Sequence, residues 1–459
     1  MSPHHVDQRA DLRQRLRRLG LVRGAGSLPA SARCRVAIES LVAGAFQDTP
    51  HGRCFLVQAD LPADEQHGNL HLGAFLDLAP QVLATVGGEP ALAEVDRSRT
   101  LFLDTETTGL SGGAGTMAFL VGLGFFEGNR FRLLQTFLRD PGDELAMVHF
   151  LGEFLPRFQA VVTFNGRGFD LPILENRFIL ARHCFPLAAL PHLDLLIPAR
   201  RLWREQLASC ALGALEREVL GVQRDQMDVP GGMIPCLYRD YLRSGDARYV
   251  APILYHNRVD ILSMVTLAAR LCSAFAAPQA EPGLSAVELY SLSRWYDGAG
   301  GDGEEALRAA LAVGLPQRLR WRALRDLAAR CKREGRLTEA IACWQQLALE
   351  DRQGVLAVVE LAKAFEWRLN QPALAAAWTR LALGRVDGWP TSTQREQQLS
   401  ALRQRLRRLE RRVAMGGDKT RAVRLENGQQ DCPDEAAQRH PDDDVGEVVD
   451  LQSYPGQGD

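Results

Sequence analysis

The sequence predicts an α/β domain, built on a mixed sheet flanked by helices, and after it an all-α domain of helical repeats. Apolar strands follow one another from Thr100, strand and helix patterns alternate as far as residue 275, and no strand signal follows Pro282. With 459 residues the chain exceeds one ordinary core, which favours two or three domains. The net charge of -2 neither supports nor excludes a nucleic-acid substrate.

The chain opens with a leader and then three strands. Residues 1–95 combine leucines at helical spacing with Gly- and Pro-punctuated stretches, and predict only an N-terminal extension. The α/β domain is assigned to residues 96–278. It begins with LFLDTE, an apolar strand that ends in acids, followed by AFLVGLGFFEG and RFRLLQTFL, two strands whose connection EGNR suits a hairpin turn.

Helices and short strands then alternate. DELAMVHFLGEFLPRF predicts a helix, AVVTFNG a strand and FDLPILENRFILAR a second helix. PHLDLLIPARRLW predicts a strand and a helix start, and LASCALGALEREVLG a helix that ends at Gly221. A last helix begins near Pro252. Its apolar stretch from Ile261 to Pro278 is interrupted by Arg270, so we expect a buried helix and no membrane span.

Residues 285–415 are assigned to helical repeats, because the pattern recurs every 34 residues. Trp344 pairs with Trp378 at this spacing, and Leu327 pairs with Leu361. The period and the small residues at packing positions resemble tetratricopeptide repeats, which implies a protein partner. An Arg-rich helix over 394–415 would cap the repeats. Residues 416–459 contain few large apolar groups and predict a disordered acidic tail.

The first candidate site element is the acidic end of the first strand. Residues two apart on a strand project to the same face, so Asp104 and Glu106 present two neighbouring carboxylates. Two such carboxylates repel each other unless a cation lies between them, and hard cations such as Mg²⁺ or Mn²⁺ prefer oxygen ligands. The alternative for a lone D-x-E is a solvated strand end.

Two further elements carry polar groups at strand and helix positions. In TFNGRGFD the strand ends at Asn165, and Asp170 follows on the next helix, where it is either a site residue or a helix cap. In YHNRVD, His256 and Asp260 are four residues apart and share one helix face. Asp260 lies in a mostly apolar helix, where an unpaired charge is costly. The alternative is a structural His–Asp pair.

In this order and at these spacings, the three elements resemble the DEDD exonuclease superfamily, which has a D-x-E motif, an N-x-x-x-F/Y-D motif and a third motif ending in Asp. The resemblance covers about residues 100–272. The string DTETTGLSGGAGTMAFLVGLG, with YHNRVDIL and the trailing repeats, looks specifically like the YprB-type ribonuclease H-like proteins of bacteria. An RNase H-like fold is therefore expected.

The resemblance also implies a chemistry. It implies a 3′–5′ exonuclease that hydrolyses phosphodiester bonds at single-stranded ends of DNA or RNA by a two-metal mechanism. Two divalent cations, Mg²⁺ or Mn²⁺, would be held by Asp104, Glu106, Asp170 and Asp260. These four acids would be catalytic together with His256, which would act as the general base.

The third motif departs from the family pattern. The usual forms are Tyr-x-x-x-Asp and His-x-x-x-x-Asp, whereas this sequence has His-x-x-x-Asp, so His256 occupies the tyrosine position of one subclass. Tyr255, one residue further from Asp260, is the alternative base. We favour His256, because an imidazole titrates near neutral pH.

Substrate contacts are expected from Thr107, Gly109 and Asn165. Gly109 opens a run of glycines, completed by residues 112, 113 and 115, whose missing side chains would let a phosphate backbone approach. The alternative is an ordinary flexible hairpin.

Other polar residues have a simpler interpretation. Arg200, Arg201 and Arg204 could grip phosphates beside Trp203, although a solvated helix face with a partly buried tryptophan is favoured. The arginines of 403–412 are likewise interpreted as a solvated face. Asp194 and Asp228 fall in no motif position and are interpreted as structural.

The cysteine content favours one cellular compartment, and two rival functions remain open. Nine scattered cysteines without a C-x-x-C pair indicate neither a disulfide framework nor a zinc site, which favours the cytoplasm. One rival function is a non-catalytic RNase H-like module that binds nucleic acid on a repeat scaffold. Four intact carboxylates argue against it, because they would repel a phosphate backbone. A second rival makes the repeats the main function.

Overall fold

A computed structural model describes residues 35–109, 115–225, 227–276 and 283–426, with side chains described as far as residue 415. The chain divides into two compact units between Arg336 and Leu337. The first unit contains the sheet and the second is helical in its described part. The division falls inside the range assigned to repeats, and the domain boundaries given above stay predictions.

The described part of the first unit contains nine strands. Their bounds are β1 Gly44–Thr49, β2 Gly52–Pro62, β3 Gln66–His67, β4 Leu70–His71, β5 Thr100–Thr107, β6 Ala118–Glu127, β7 Arg130–Phe137, β8 Ala160–Thr163 and β9 His192–Asp194. Seven form the main sheet in the order β1-β2-β7-β6-β5-β8-β9, and β3 pairs with β4 separately. β5, β8 and β9 are parallel while the other neighbours are antiparallel, so the main sheet is mixed.

The helices of the first unit are α1 Pro80–Gly87, α2 Glu144–Phe154, α3 Asp170–Leu180, α4 Leu196–Trp203, α5 Leu212–Leu215, α6 Ile234–Ser244, α7 Ala251–Ala276, α8 Ala286–Gly298, α9 Glu304–Val313 and α10 Gln317–Arg333. Those of the second unit are α11 Leu337–Glu350, α12 Leu356–Lys363, α13 Pro372–Asp387 and α14 Thr393–Glu426. Single 3₁₀ turns lie at Ile38–Ser40, Leu72–Phe75, Pro90–Glu94, Arg97–Arg99, Pro141–Asp143, Leu155–Arg157, Gly231–Met233 and Ala247–Tyr249, and π-type turns at Glu216–Leu220 and Ala364–Arg368.

The main sheet has an apolar core on each face. Leu101 and Leu103 of β5 join the core that also contains side chains of α2 and α3. Phe102, between them, joins the core that contains α1, α4 and most of α7. Because successive strand residues point to opposite faces, a strand buried on both sides is apolar throughout. The continuous run LFL has this pattern.

The mixed sheet flanked by helices, followed by a helix-rich C-terminal region, confirms the expected fold class. Each strand and helix expected from 101 onward is present, including the EGNR turn, where Gly128 adopts φ +58°. α7 spans Ala251–Ala276 and so contains the described part of the stretch from Ile261 to Pro278 that was expected to be a buried helix. The stretch Ala247–Ala276 is the one helix in the described ranges that is long and apolar enough to cross a membrane, and 72% of its most apolar window is buried.

Residues ahead of the first motif add two strands to the sheet. The sequence analysis assigned 1–95 to an extension of no assigned role, whereas β1 and β2 lie within it and extend the sheet beyond β7. Phe55 of β2, for example, is opposite Phe137 of β7. β1 and β2 are joined by a tight hairpin whose turn residues are Pro50 and His51.

Two glycines in β6 allow α7 to lie directly on the sheet. A Cβ atom on Gly122 would lie 2.2 Å from Oδ1 of Asn257, and one on Gly124 would lie 2.5 Å from Ile261. Glycine weakens a strand, so its presence here reflects the close approach of another element. The approach brings the face of α7 that carries Asn257 against β5 and β6.

The last described helix is longer than expected. The Arg-rich helix assigned to 394–415 runs as α14 to Glu426, so the expected tail begins as helix, and residues 427–459 lie outside the described part. Leu399, Leu402 and Leu409 are buried.

Three arginines of α14 contact a buried acid, and of these Arg408 and Arg412 also remain partly exposed, as expected of a solvated face. The carboxylate of Glu366, in the π-type turn after α12, is 1% exposed. It accepts hydrogen bonds from Arg405 at 2.7 Å and from Arg408 at 2.6 Å, and Arg412 lies at 3.7 Å. A buried charge needs such partners. This correction concerns only the arginines whose partners the structure gives.

We expect Glu366→Ala to destabilise the second unit by about 3–5 kcal/mol, because removal of one partner of a buried ion pair leaves charge uncompensated. Urea denaturation measures this change. Arg380→Ala is the control, since it breaks the exposed Arg380–Glu410 pair, whose loss costs less than about 1 kcal/mol. Equal effects of the two substitutions would contradict the importance of Glu366.

Candidate active site

β5 carries the first two acids. Asp104 and Glu106 project from the same face of the strand as Phe102, and both are partly buried. The pairing of β5 with β6 shifts register between Glu106 and Thr107. Such bulges re-aim neighbouring side chains and are frequent beside active sites. The strand therefore ends with two carboxylates side by side.

Asp170 reaches the same strand from α3. It is the first residue of the helix and is 4% exposed. Its Oδ1 accepts hydrogen bonds from the backbone N–H of Thr105 at 3.1 Å and from the hydroxyl of Thr105 at 2.5 Å. Thr105 lies between Asp104 and Glu106, so these bonds fix Asp170 beside both acids.

α7 supplies Asp260 and His256, one helical turn apart. Nε2 of His256 lies 3.6 Å from Oδ2 of Asp260. Between them, Asn257 donates to Oδ2 of Asp104 at 2.8 Å and is held in turn by Gln135 of β7 at 2.7 Å. This hydrogen-bonded chain fixes α7 against the acids of β5.

The surroundings of the four carboxyl groups oppose the ionisation of all four at once. Burial raises the pKa of Asp104 well above its ordinary value, and the charges of Asp260 and Asp170 raise it further. Burial raises the pKa of Glu106 to about 8, although His256 opposes the shift. Burial also raises the pKa of Asp170 to about 6, against the hydrogen bonds from Thr105, and raises the pKa of Asp260.

This donor set fits hard divalent cations. Asp104, Glu106, Asp170 and Asp260 offer only carboxylate oxygens, the ligands that Mg²⁺ and Mn²⁺ prefer. Their pKa values are raised first by burial and then by neighbouring negative charge, and a bound cation would stabilise the ionised carboxylates against both. These four residues could therefore hold such ions.

Arg224 is a site residue that the sequence analysis missed. It lies in the loop after the π-type turn Glu216–Leu220 and pairs with Asp260. Two of its nitrogens also bond to Glu216, each at 2.6 Å, and Glu216 is 1% exposed. The buried Glu216 anchors the guanidinium beside Asp260. An acid in the apolar run ALEREVL is the one sequence signal of this pair, and it does not identify the partner.

Asp228 contacts the candidate base, although the sequence analysis interpreted it as structural. Its Oδ1 lies 2.7 Å from Nδ1 of His256. Nη1 of Arg224 lies 3.0 Å from the same nitrogen. The shorter contact is with the carboxylate, which only accepts, so Nδ1 is assigned as the donor to Asp228 and Nε2 remains for the acid cluster. Burial alone would lower the pKa of His256, but the bond to Asp228 and the charge of Asp260 outweigh burial and raise it.

Tyr255, the alternative base, has a different partner. Its hydroxyl accepts a hydrogen bond from the backbone N–H of Asp225 at 3.0 Å, and its ring packs against the core beneath α7. Asp194, in contrast, has the structural contacts expected of it. It accepts from the backbone N–H groups of Asn165 at 2.8 Å and Arg167 at 3.2 Å.

Two clefts meet at Asp260. One, of about 430 Å³, is lined by Asp104, Asn165, Arg200 and Asp260 among others. The other, of about 460 Å³, is lined by His256, Arg224 and Asp228 on the far side of Asp260. Asp104 and Asp260 of the acid cluster therefore line the first cleft, and Asp260 lines both.

The residues expected to contact substrate differ in their exposure. Asn165 is exposed in the first cleft, with φ +66°. Thr107 is buried, and its hydroxyl donates to the carbonyl of Gly109 at 2.7 Å, so this pair forms the turn below the acids. Residues 112 and 113 lie outside the described part. Gly115 is exposed.

The basic cluster on α4 is divided by burial. Arg200, Arg201 and Arg204 are exposed, as expected of a solvated face, but Arg200 also lines the cleft with the acids. Trp203 is 1% exposed, and its Nε1 donates to Glu288 at 2.8 Å. Its ring therefore cannot stack on a base.

Two comparisons with known proteins bear on this site. A family model described as the RNase H superfamily matches residues 101–272, which contain the four acids and His256. The chain is also 30% identical over 334 residues to uncharacterized protein YprB of Bacillus subtilis (strain 168), a match that covers 69% of this chain and 77% of that protein. Proteins of the superfamily are usually hydrolases of nucleic acids and generally use divalent metal ions.

We expect Mn²⁺ to stabilise the first unit more at pH 8 than at pH 5. The raised carboxyl pKa values mean that the folded site keeps protons that the unfolded chain has lost, so stability without metal falls as pH rises across this window. Cation binding displaces those protons, and each one adds about 1.4 kcal/mol per pH unit. Thermal melting with and without Mn²⁺ measures the difference.

Asp104→Asn should abolish this response, whereas Asp60→Asn should keep it, because Asp60 is an exposed partner of Arg130 and Arg132. A pH-independent gain in melting temperature, or a gain retained in Asp104→Asn, would place the cation elsewhere.

Proposed function

The chain belongs to the family of YprB and carries an RNase H superfamily domain over residues 101–272, and from that premise we propose that it is a metal-dependent 3′–5′ exonuclease that hydrolyses phosphodiester bonds of nucleic acid. The observation that carries the proposal is the convergence of four carboxylates from β5, α3 and α7. Their mutual repulsion has no structural benefit, so a cation-dependent activity accounts for them.

Asp104, Glu106, Asp170 and Asp260 would hold two divalent cations, Mg²⁺ or Mn²⁺. Cations bound there would lower the pKa of an attacking water and stabilise charge on the entering and leaving oxygens. The protein contributes fixed ligand positions: Thr105 holds Asp170, and Asn257 holds Asp104. Preset ligands reduce the reorganisation needed when substrate binds.

His256 would take the proton of the water at Nε2. Its Nδ1 is held by Asp228, which sets the tautomer and the ring orientation. Nε2 lies on the side of the acids, 3.6 Å from Asp260. A raised pKa lets the imidazole compete for a proton near neutral pH. Arg224 would act as a positioning residue, because it contacts Asp260 and Glu216 together.

The first cleft would receive the end of the nucleic acid. Arg200 and Asn165 line it beside Asp104 and Asp260, so a guanidinium and an amide are available to a phosphate near the acids. Its volume of about 430 Å³ is that of a small-molecule site. A terminal nucleotide suits this space better than continuous duplex. The choice of a single-stranded 3′ end of DNA or RNA rests on the family resemblance.

Partner and location are part of the same proposal. The helical region after 285 would recruit a protein partner, in the manner of the tetratricopeptide-like repeats that its 34-residue period resembles. A cytoplasmic location is consistent with scattered cysteines.

We expect the native chain to shorten 3′-single-stranded DNA or RNA stepwise in Mn²⁺ or Mg²⁺, and Asp104→Asn to lose this activity. His256→Ala should reduce kcat by about 10²–10⁴-fold, the contribution typical of a general base. End-labelled substrates resolved by length measure both rate and polarity. Asp60→Asn is the matched surface control.

Nicking at internal positions would contradict exonuclease action, and tight binding without cleavage in either metal would favour the non-catalytic module.

A second expectation concerns pH. A base must be unprotonated, so the acid limb of the kcat/KM profile follows the pKa of His256, which Asp228 raises. Asp228→Asn should lower that pKa and move the acid limb to lower pH, while loss of orientation reduces the plateau by about 10-fold or more. Asp225→Asn, which leaves the contact with His256 intact, should keep the native limb. An unmoved limb in Asp228→Asn would exclude His256 as the titrating base.

A further inference from the structure

Three histidines outside the acid cluster meet at one place on the first unit. His51 lies in the turn between β1 and β2, His149 lies on α2, and His183 follows α3. One ring nitrogen from each lies within 4.8 Å of the other two. The ring centroids are 5.4 Å apart for His51 and His149, 6.0 Å for His149 and His183, and 6.4 Å for His51 and His183.

The hairpin turn fixes the position of His51. Its backbone N–H donates to the hydroxyl of Thr49 at 3.2 Å, and the same hydroxyl donates to the carbonyl of Gly52 at 2.7 Å. Gly52 adopts φ +116°, which lets the turn stay tight. The ring of His51 is exposed at the tip of this hairpin.

The end of α3 fixes His183. Its backbone N–H donates to the carbonyl of Phe178 at 2.9 Å, and that of Arg182 donates to the carbonyl of Ile179 at 3.0 Å. This pair of bonds is a Schellman motif, in which the residue that follows the helix C-cap takes the left-handed conformation. That residue is Arg182, with φ +60°, and not the usual glycine. With Arg182 in this conformation, the chain turns at the end of α3 and places His183 beside His149 of α2.

His149 has an acidic neighbour. Glu153, one turn further along α2, lies 3.3 Å from Nε2 of His149 and is 75% exposed. Histidines that bind metals commonly have a carboxylate on the ring, which orients it and raises its basicity. Glu153 also places negative charge beside three groups that would repel one another if protonated.

We propose that His51, His149 and His183 bind one divalent transition-metal cation of the zinc class. Imidazole nitrogens suit Zn²⁺, Ni²⁺, Cu²⁺ and Co²⁺, whereas Mg²⁺ and Mn²⁺ prefer the oxygens of the acid cluster. Nitrogens around one zinc ion lie about 3.3 Å apart for a bond length of about 2.0 Å. The ring nitrogens of the three histidines lie within 4.8 Å of one another, so small rotations of all three side chains would bring them to this spacing. The site is therefore chemically distinct from the acids.

The cation would tie the β1–β2 hairpin to α2 and α3. β1 is the edge strand of the sheet, and an edge strand has one unpaired side. A metal bridge from its hairpin to two helices would hold this edge in place. It is a structural site, and the nuclease chemistry proposed above does not depend on it.

Titration of the full-length chain with Co²⁺ tests the site, because tetrahedral cobalt with nitrogen ligands absorbs visible light strongly and octahedral cobalt with oxygen ligands absorbs weakly. We expect one strongly absorbing equivalent that Zn²⁺ displaces. His51→Ala, His149→Ala and His183→Ala should each weaken binding at least tenfold, and Glu153→Gln less than any of them. His71→Ala, a partly buried histidine on β4, is the matched control.

Two further measurements distinguish metal binding at the three histidines from metal binding at the acid cluster. Zn²⁺ should slow hydrogen exchange in the β1–β2 hairpin of the native chain but not of His149→Ala. All three histidine variants should degrade nucleic acid in Mg²⁺ at the native rate, and His→Gln variants replace any alanine variant that fails to fold. The proposal is overturned if the three variants bind Co²⁺ as the native chain does, or if the cobalt signal disappears only in Asp104→Asn.

Discussion

Four carboxylates crowded into a largely buried space repel one another, and a small set of polar contacts from β5, α7 and the loop before α6 holds three of them in place. Thr105 fixes Asp170, Asn257 fixes Asp104, and Arg224 pairs with Asp260. Burial raises the pKa values of Asp104 and Asp260, and neighbouring carboxylates raise them further, so these contacts do not fully offset the cost of ionising the acids. A site of this kind favours the binding of cations, since each bound ion replaces protons that the acids otherwise keep.

The position of α7 completes the candidate site, because this helix brings His256 and Asp260 to the acids of β5. The helix can lie against β6 only because Gly122 has no side chain at the point where Asn257 arrives. Once it is there, His256 and Asp260, which lie one turn apart and are both largely buried, reach the end of β5. Gly122, which lies opposite Asp104 in the sheet, thus sets how closely α7 approaches β5, and packing and function are coupled through Asn257.

The sequence predicted the features that depend on local spacing. A strand alternates every two residues and a helix repeats each turn, so D-x-E and H-x-x-x-D predict shared faces that the structure has. Features that depend on distant partners were missed: Arg224 and Asp228 lie in a loop without a pattern, and β2 joins the sheet only through its pairing with β7. The arginines of α14 were interpreted as solvated because nothing local identifies Glu366 as their partner. The histidine trio joins residues from three separate elements and was missed for the same reason.

Anomalous diffraction from crystals soaked in Mn²⁺ tests the central claim most directly, because it locates the cations independently of turnover. The account predicts two manganese peaks about 4 Å apart, contacted by carboxylate oxygens of Asp104, Glu106, Asp170 and Asp260, with the Arg224–Asp260 pair rearranged to admit them. Manganese peaks elsewhere on the chain, with no peak among these four acids at saturating Mn²⁺, would contradict it.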